Sequence, residues 1–357
     1  MTTARPCGRR VFLAALCASP AALVGACGGG ADEAAAAAYP EAAAPPAEHD
    51  TSRRVTRAMR GRPYARQGIT AMALSRDGRV LGVAGSDGAV RLLSAAGLHE
   101  IRRLRREGGP PVAGLVFVGG GRYLLAVGRD SVAHGWSVQT GEHRFKLQGH
   151  EHPLRAVAAS ADGAFVATGG EETRVLLWDG ATGRLQRSLG GHGNFVNALA
   201  VSPDGRLLAS GDADARILLW DIASGELLHT LRGHARELNA LAFGTGSPVL
   251  ASASEDGRVL LWDTALGRPL RSLDGQGVPM RSLAFNGDGQ LLGAGSQLGS
   301  VKVWETATGE VLQDARDSSS PVNTVVFDRS GRNMLFAGNE SSQIFWWSVA
   351  HDASGDR

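Results

Sequence analysis

Cysteine is nearly absent from this sequence: Cys7, Cys17 and Cys27 all fall at one end, and the remaining 330 of 357 residues contain none. No disulfide framework and no cysteine-based metal site can therefore exist in the body of the chain. Aromatic residues are few, at 6%, but apolar residues make up 43%, enough to build a core and too many for a disordered chain. A charge imbalance is also missing. The formal net charge is +2, and residues 1–26 hold three arginines and no acid, so removing them would leave −1. Nothing in this balance suggests a nucleic-acid partner.

Several chemical motifs are missing as well. The triple glycine Gly119-Gly120-Gly121 is not followed by Lys-Ser/Thr, so it reads as a hairpin turn and not as a phosphate loop. His99-Glu100 lacks the second histidine of a His-Glu-x-x-His zinc helix. No serine stands in Gly-x-Ser-x-Gly between a strand and a helix. His150-Glu151-His152 is the most metal-like cluster, but His150 belongs to a repeated mark described below. No catalytic residue, cofactor or metal is expected.

The longest apolar run, Val11–Ala26, is too short to span a bilayer comfortably. It follows a basic head with Arg5, Arg9 and Arg10 and ends in small residues, the pattern of a signal peptide over 1–26. Arg9-Arg10-Val11-Phe12-Leu13 resembles a twin-arginine export signal. Val24-Gly25-Ala26-Cys27 resembles a relaxed bacterial lipobox, which would make Cys27 the lipidated first residue of the mature chain. Residues 27–50 are rich in Gly, Ala and Pro and carry no core pattern. As a flexible tether, Gly28–Asp50 would reach roughly 25–30 Å. The sequence predicts an exported lipoprotein held at the cell membrane or outer membrane and facing the periplasm or cell exterior. Six arginines (Arg53, Arg54, Arg57, Arg60, Arg62, Arg66) follow the tether. They read either as a charged strand edge or as a contact to anionic headgroups.

What the rest of the chain has is a period. Trp136, Trp178, Trp220, Trp262 and Trp304 are each 42 residues apart, and Leu93 and Trp347 continue the series at offsets of 43. These positions define seven units within residues 51–350, followed by a short tail at 351–357. In the fourth unit, apolar runs at 196–202, 207–212, 216–221 and 226–231 are separated by turn residues such as Pro203-Asp204-Gly205 and Ser224-Gly225, which predicts four short strands. The inner strands are apolar at almost every position, as required of sheets covered on both faces.

The Trp-Asp pairs at 178–179, 220–221 and 262–263, together with Gly-His openings at His150, His192 and His234, resemble the WD-repeat β-propeller family over residues 53–348. The resemblance implies an all-β, seven-bladed propeller, which we expect to be closed by an N-terminal strand at 53–60. It also implies a His, Ser/Thr, Asp, Trp hydrogen-bond tetrad inside a blade. The matching residues are His192, Ser210, Asp214 and Trp220 in blade four, and His234, Ser252, Asp256 and Trp262 in blade five. Blade three offers His150, Thr168 and Trp178 with Glu172 in place of Asp. Blade six has Gln276, Ala294 and Leu298 at these positions, so its network is absent and apolar packing is expected to carry it.

The function implied is a non-catalytic protein-interaction scaffold, expected to be a monomer anchored in the cell envelope and to bind a protein or peptide. Partner contacts in such propellers fall three and five residues after the histidine and one before the aspartate. The transferred positions include Arg155, Phe195, Asn197, Glu237, Asn239, Arg281, Asn323 and Glu340. The alternative is an exported propeller enzyme, a lyase or hydrolase using the channel mouth. Three or more convergent ionisable side chains in the channel would favour the enzyme, and an aliphatic lining would favour the scaffold.

Overall fold

Each repeated tryptophan lies near the end of the third strand of a small antiparallel sheet. The computed structural model describes residues 68–105, 108–316, 320–338 and 343–349. Among these residues there is no helix, and seven sheets follow one another along the chain, six with four strands and the last with three. Within every sheet the strands pair in chain order, as a simple meander. The signal segment, the tether, Cys27, the proposed closing strand at 53–60 and the tail at 351–357 all lie outside the described residues.

Blade four illustrates why the chain folds this way. Its strands are Val196–Val201, Leu207–Asp212, Arg216–Asp221 and Leu227–Arg232, matching the predicted apolar runs to within a residue or so. The first turn is fixed by its own side chains: Ser202 Oγ donates to Asp204 Oδ1 at 2.5 Å and accepts from the Leu207 amide at 2.9 Å. Gly205 takes the left-handed conformation the turn requires (φ +73°). The second and third strands are buried on both faces, whereas the fourth buries mainly Leu231. This gradient runs outward from the centre of the ring to its rim.

The core is a series of clusters between neighbouring blades. One joins Ala156, Ala167, Val175 and Leu177 of blade three to Val196, Leu199, Leu208 and Trp220 of blade four. An equivalent cluster joins Leu335, Ala337 and Ile344 of blade seven to Ile69, Met72 and Leu81 of blade one, so the described residues already meet across the ends of the ring. Hydrogen bonds reinforce that junction: the Met72 amide donates to Thr324 Oγ1 at 3.2 Å, and Asn323 Nδ2 donates to the Ile69 carbonyl at 3.1 Å. Small residues such as Gly114, Ala156 and Ala198 let the first strands crowd together at the centre. A Cβ added at Gly114 would sit 3.3 Å from Val157 Cγ1 in the next blade.

Candidate functional site

The tetrad positions come together in blade five as predicted from the repeat. Trp262 Nε1 donates to Ser252 Oγ at 2.8 Å, Ser252 Oγ donates to His234 Nε2 at 2.7 Å, and His234 Nδ1 donates to Asp256 Oδ2 at 3.0 Å. With the histidine proton on Nδ1, each member has a partner, which is the condition for a buried polar chain to stabilise a fold. Burial alone would raise the Asp256 pKa. The hydrogen bonds from His234 and from the Ala235 and Arg258 amides outweigh it and hold the carboxyl well below its ordinary range.

Blade four corrects the expectation. His192 Nδ1 donates to Asp212 Oδ2 at 2.8 Å, not to Asp214. Asp212 ends the second strand and is fully buried, and its Oδ1 also accepts the amides of Asp214 and Arg216 at 3.0 and 2.9 Å. The histidine takes the carboxylate that the backbone already holds in place. Asp214 is left exposed and accepts from Asn194 Nδ2 at 2.9 Å. Ser210 and Trp220 occupy their expected places, at 2.6 Å from His192 Nε2 and at 2.9 Å in the Trp220 Nε1 to Ser210 Oγ bond. In blade three, Trp178 Nε1 and His150 Nε2 both meet Thr168 Oγ1, and Glu172 lies 3.4 Å from His150 Nδ1.

Blade six departs from simple apolar packing. In blades three, four and five the tetrad hydroxyl stands opposite a leucine of the third strand: Thr168 opposite Leu176, Ser210 opposite Leu218 and Ser252 opposite Leu260. Where the hydroxyl is missing, that leucine is replaced. Ala294 faces Lys302, Ala126 faces His134 and Val83 faces Arg91. Each of these reaches an acid: Lys302 Nζ to Asp314 at 2.9 Å, His134 Nε2 to Asp130 at 3.1 Å and Arg91 Nε to Glu100 at 3.4 Å. Blade seven instead stacks Phe336 on Phe345.

The predicted contact residues form a ring. The second residue of each first strand is, in order, Thr70, Ala113, Arg155, Asn197, Asn239, Arg281 and Asn323, one per blade around the channel mouth. Half of this rim is tied to itself. Arg155 donates to Glu171 Oε1 at 3.0 Å and to Asn197 Oδ1 at 3.1 Å, and Asn197 Nδ2 donates to Glu237 Oε2 at 3.4 Å. Beside this bridge the Arg155 guanidinium lies 5.3 Å from the centre of the Phe195 ring, which is 41% exposed.

The other half is open. Thr70, Arg129, Asn239, Arg281, Asn323 and the segment 111–113 line a cavity of about 350 Å³ contributed by blades five, six, seven, one and two. Arg281 donates from Nε to Gln297 Oε1 and lies 3.8 Å from Glu255. The mouth is thus polar, not aliphatic. Among the described residues its ionisable lining groups are Arg129 and Arg281. Arg129 and Thr70 were missing from the sequence expectation, although Arg129 stands seven residues before Trp136 as Glu171 does before Trp178, so the tryptophan spacing is the signal that locates it. Glu340, the blade-seven position, lies outside the described residues.

Comparison with known proteins agrees with this architecture. The family described as WD domain, G-beta repeat matches residues 141–179, 183–221, 225–263 and 267–305, together a little under half of the chain. Each match starts just before the outer strand of one blade and ends with the third strand of the next, so the sequence repeat straddles two blades. An uncharacterized WD repeat-containing protein of Schizosaccharomyces pombe is 30% identical over 110 residues, which are 31% of this chain and 27% of that protein. The chain thus aligns with only about a quarter of the length of that relative.

Proposed function

The chain belongs to the WD-repeat β-propeller family, and from that premise we propose that it is a non-catalytic platform whose channel-mouth face binds a protein or peptide. WD-repeat propellers are typically protein-interaction scaffolds. The observation that carries the reading for this chain is the rim itself: an exposed Phe195 under a guanidinium, beside a cavity lined by arginine, asparagine and threonine. Exposed aromatics and arginines are the side chains that dominate binding energy at protein interfaces. A photo-crosslinker placed at Phe195 in cells should give a discrete adduct that the same label at Leu228, on the outer strand of blade four, does not. Adducts of equal yield from both positions would remove the reason for assigning this face.

The second part of the proposal concerns location. The basic head, the short apolar run, Val24-Gly25-Ala26-Cys27 and the following tether support export and lipidation at Cys27, with the propeller held off a bilayer surface. Cys27→Ser should move the protein from the membrane to the soluble envelope fraction, and mass spectrometry of the native terminus should find acyl chains on Cys27. An unmodified cysteine at that terminus would refute the anchor while leaving the binding face untouched.

A further inference from the structure

We infer that the open half of the channel mouth is built to receive an acidic side chain of a bound peptide, together with a backbone amide beside it. The inference rests on the reading of this face as the binding face and adds the chemistry of what enters it.

The first support is charge. Among the described residues lining the cavity none is acidic, and two, Arg129 and Arg281, are cations. The described carboxylates of the rim are already turned to other partners: Glu171 to Arg155, Glu237 to Asn197, and Glu255 to Asn239 and Arg281. Glu255 offsets part of the Arg281 charge from behind. Arg129 is exposed and makes no side-chain hydrogen bond or ion pair with a described residue. An uncompensated guanidinium at the wall of a concave site favours an anion. A planar carboxylate is its best-matched partner, because two parallel N–H donors meet two oxygens.

The second support is the disposition of the amides, which separates a peptide from a simple anion. Asn239 spends its Nδ2 on Glu255 Oε1 at 3.0 Å and on the Met280 carbonyl at 2.9 Å, while Asn323 spends its Nδ2 on the Ile69 carbonyl at 3.1 Å. Each side chain keeps its Oδ1 without a described partner, so the wall offers acceptors as well as arginine donors. A free carboxylate would leave these acceptors unpaired. A peptide supplies both groups, the acid to the arginines and its own N–H to an asparagine carbonyl. About 350 Å³ holds one such residue with its flanking backbone. The closed half of the rim, where Arg155 and Asn197 are spent on each other, then gives the rest of the peptide a preformed surface to lie on.

The test selects short random peptides displayed on phage against the full chain and then measures the synthesised winners by fluorescence anisotropy. The expected winners share one Asp or Glu, and changing that residue to its amide should weaken binding about tenfold or more. Arg129→Gln and Arg281→Gln should each abolish the preference for acid over amide without changing the melting temperature, and Arg129→Lys should restore part of it. Winners that lack a required acid but are weakened by Phe195→Ala would overturn this inference and leave the face as a binding surface. Winners indifferent to every rim substitution would overturn both. A competition arm uses glutarate: a free dicarboxylate that binds more tightly than the acidic peptide would make a small acid the occupant and refute the peptide assignment.

Discussion

Lys302 Nζ lies 2.9 Å from Asp314 Oδ2, with the lysine side chain 3% exposed and the aspartate 24%. The two residues face each other across the third and fourth strands of blade six, where blade four pairs Leu218 with Thr230 and blade five pairs Leu260 with Ser272. A buried pair of this kind stabilises weakly as a unit, yet stranding either charge costs much more. Asp314→Ala should therefore destabilise the protein by about 3 kcal/mol, the low end of the range for such pairs because water reaches the aspartate. Lys302→Leu with Asp314→Thr recreates the blade-four pair and should be neutral or stabilising. Urea unfolding of the single and double variants decides it, and an additive double variant would mean that the pair is not coupled.

The two aspartates of blade four should separate cleanly. Asp212→Ala removes the acceptor of His192 Nδ1 and of two backbone amides and should cost roughly 1–3 kcal/mol. Asp214→Ala acts on an exposed group and should stay within about 0.5 kcal/mol. Asp256→Ala in blade five should behave like Asp212→Ala. Leu298→Ala should do almost nothing, since Leu298 is 50% exposed and stands outside any polar network. Equal losses for Asp212→Ala and Asp214→Ala would put the tetrad acid back at Asp214.

These contrasts mark how far the sequence could be read. The 42-residue period specified seven blades, and the Gly-His and Trp-Asp marks located the blade-five tetrad, because spacing along strands is a local property. Asp212 against Asp214 was not legible: blade five has Ser254 where blade four has Asp212, so the family position pointed to Asp214, whereas the backbone amides hold Asp212 against the histidine. The Lys302–Asp314 pair was hidden because an irregularity between Val303 and Trp304 shifts the register of the outer strand, so their opposition cannot be counted from the sequence. Arg129 was legible from the tryptophan spacing, seven residues before Trp136, but that its guanidinium faces an open cavity depends on blades that only the closed ring brings together.

Stability should fall with acid in two stages. His150 is held below its ordinary value of 6.5, first by burial, so below that pH the unfolded chain binds a proton that the fold resists, and stability declines. Glu172 behaves in the opposite chemical sense with the same outcome. Burial would raise it, but the Arg174 bond and the amides of Glu151 and His152 bring it down from 4.5 to about 2. Its contribution is complete above the unfolded value of 4.5 and is lost as pH falls toward about 2; Asp212 and Asp256, also held down, act in the same direction. Melting temperatures measured from pH 7 to 3 should fall below about 6.5 and more steeply below about 4.5. Glu172→Gln should flatten the second stage. A curve of unchanged shape would mean that Glu172 is not held in this way.

The ring should be completed by the segment before its first strand. Blade seven has three strands among the described residues, and its last, Ile344–Ser348, pairs with Asn333–Gly338 on one side only. An open strand edge at the rim would be a template for association with another chain, so a fourth strand is expected there. Two stretches of sequence are available. Residues 351–357 are short and polar, whereas "RRVTRAMR" at 53–60 has Val55 and Met59 to bury and arginines to keep the outer face in water. We expect residues 53–60 to pair with the third strand of blade seven, locking together positions about 290 residues apart. Such a contact forms late in folding, because the long loop it closes must be ordered first. Deleting residues 51–60 should lower the melting temperature and increase self-association with concentration relative to the full chain, as read by analytical ultracentrifugation. Truncation after residue 350 should change neither. If the first deletion is silent and the second is not, the closing strand comes from the C-terminal tail instead.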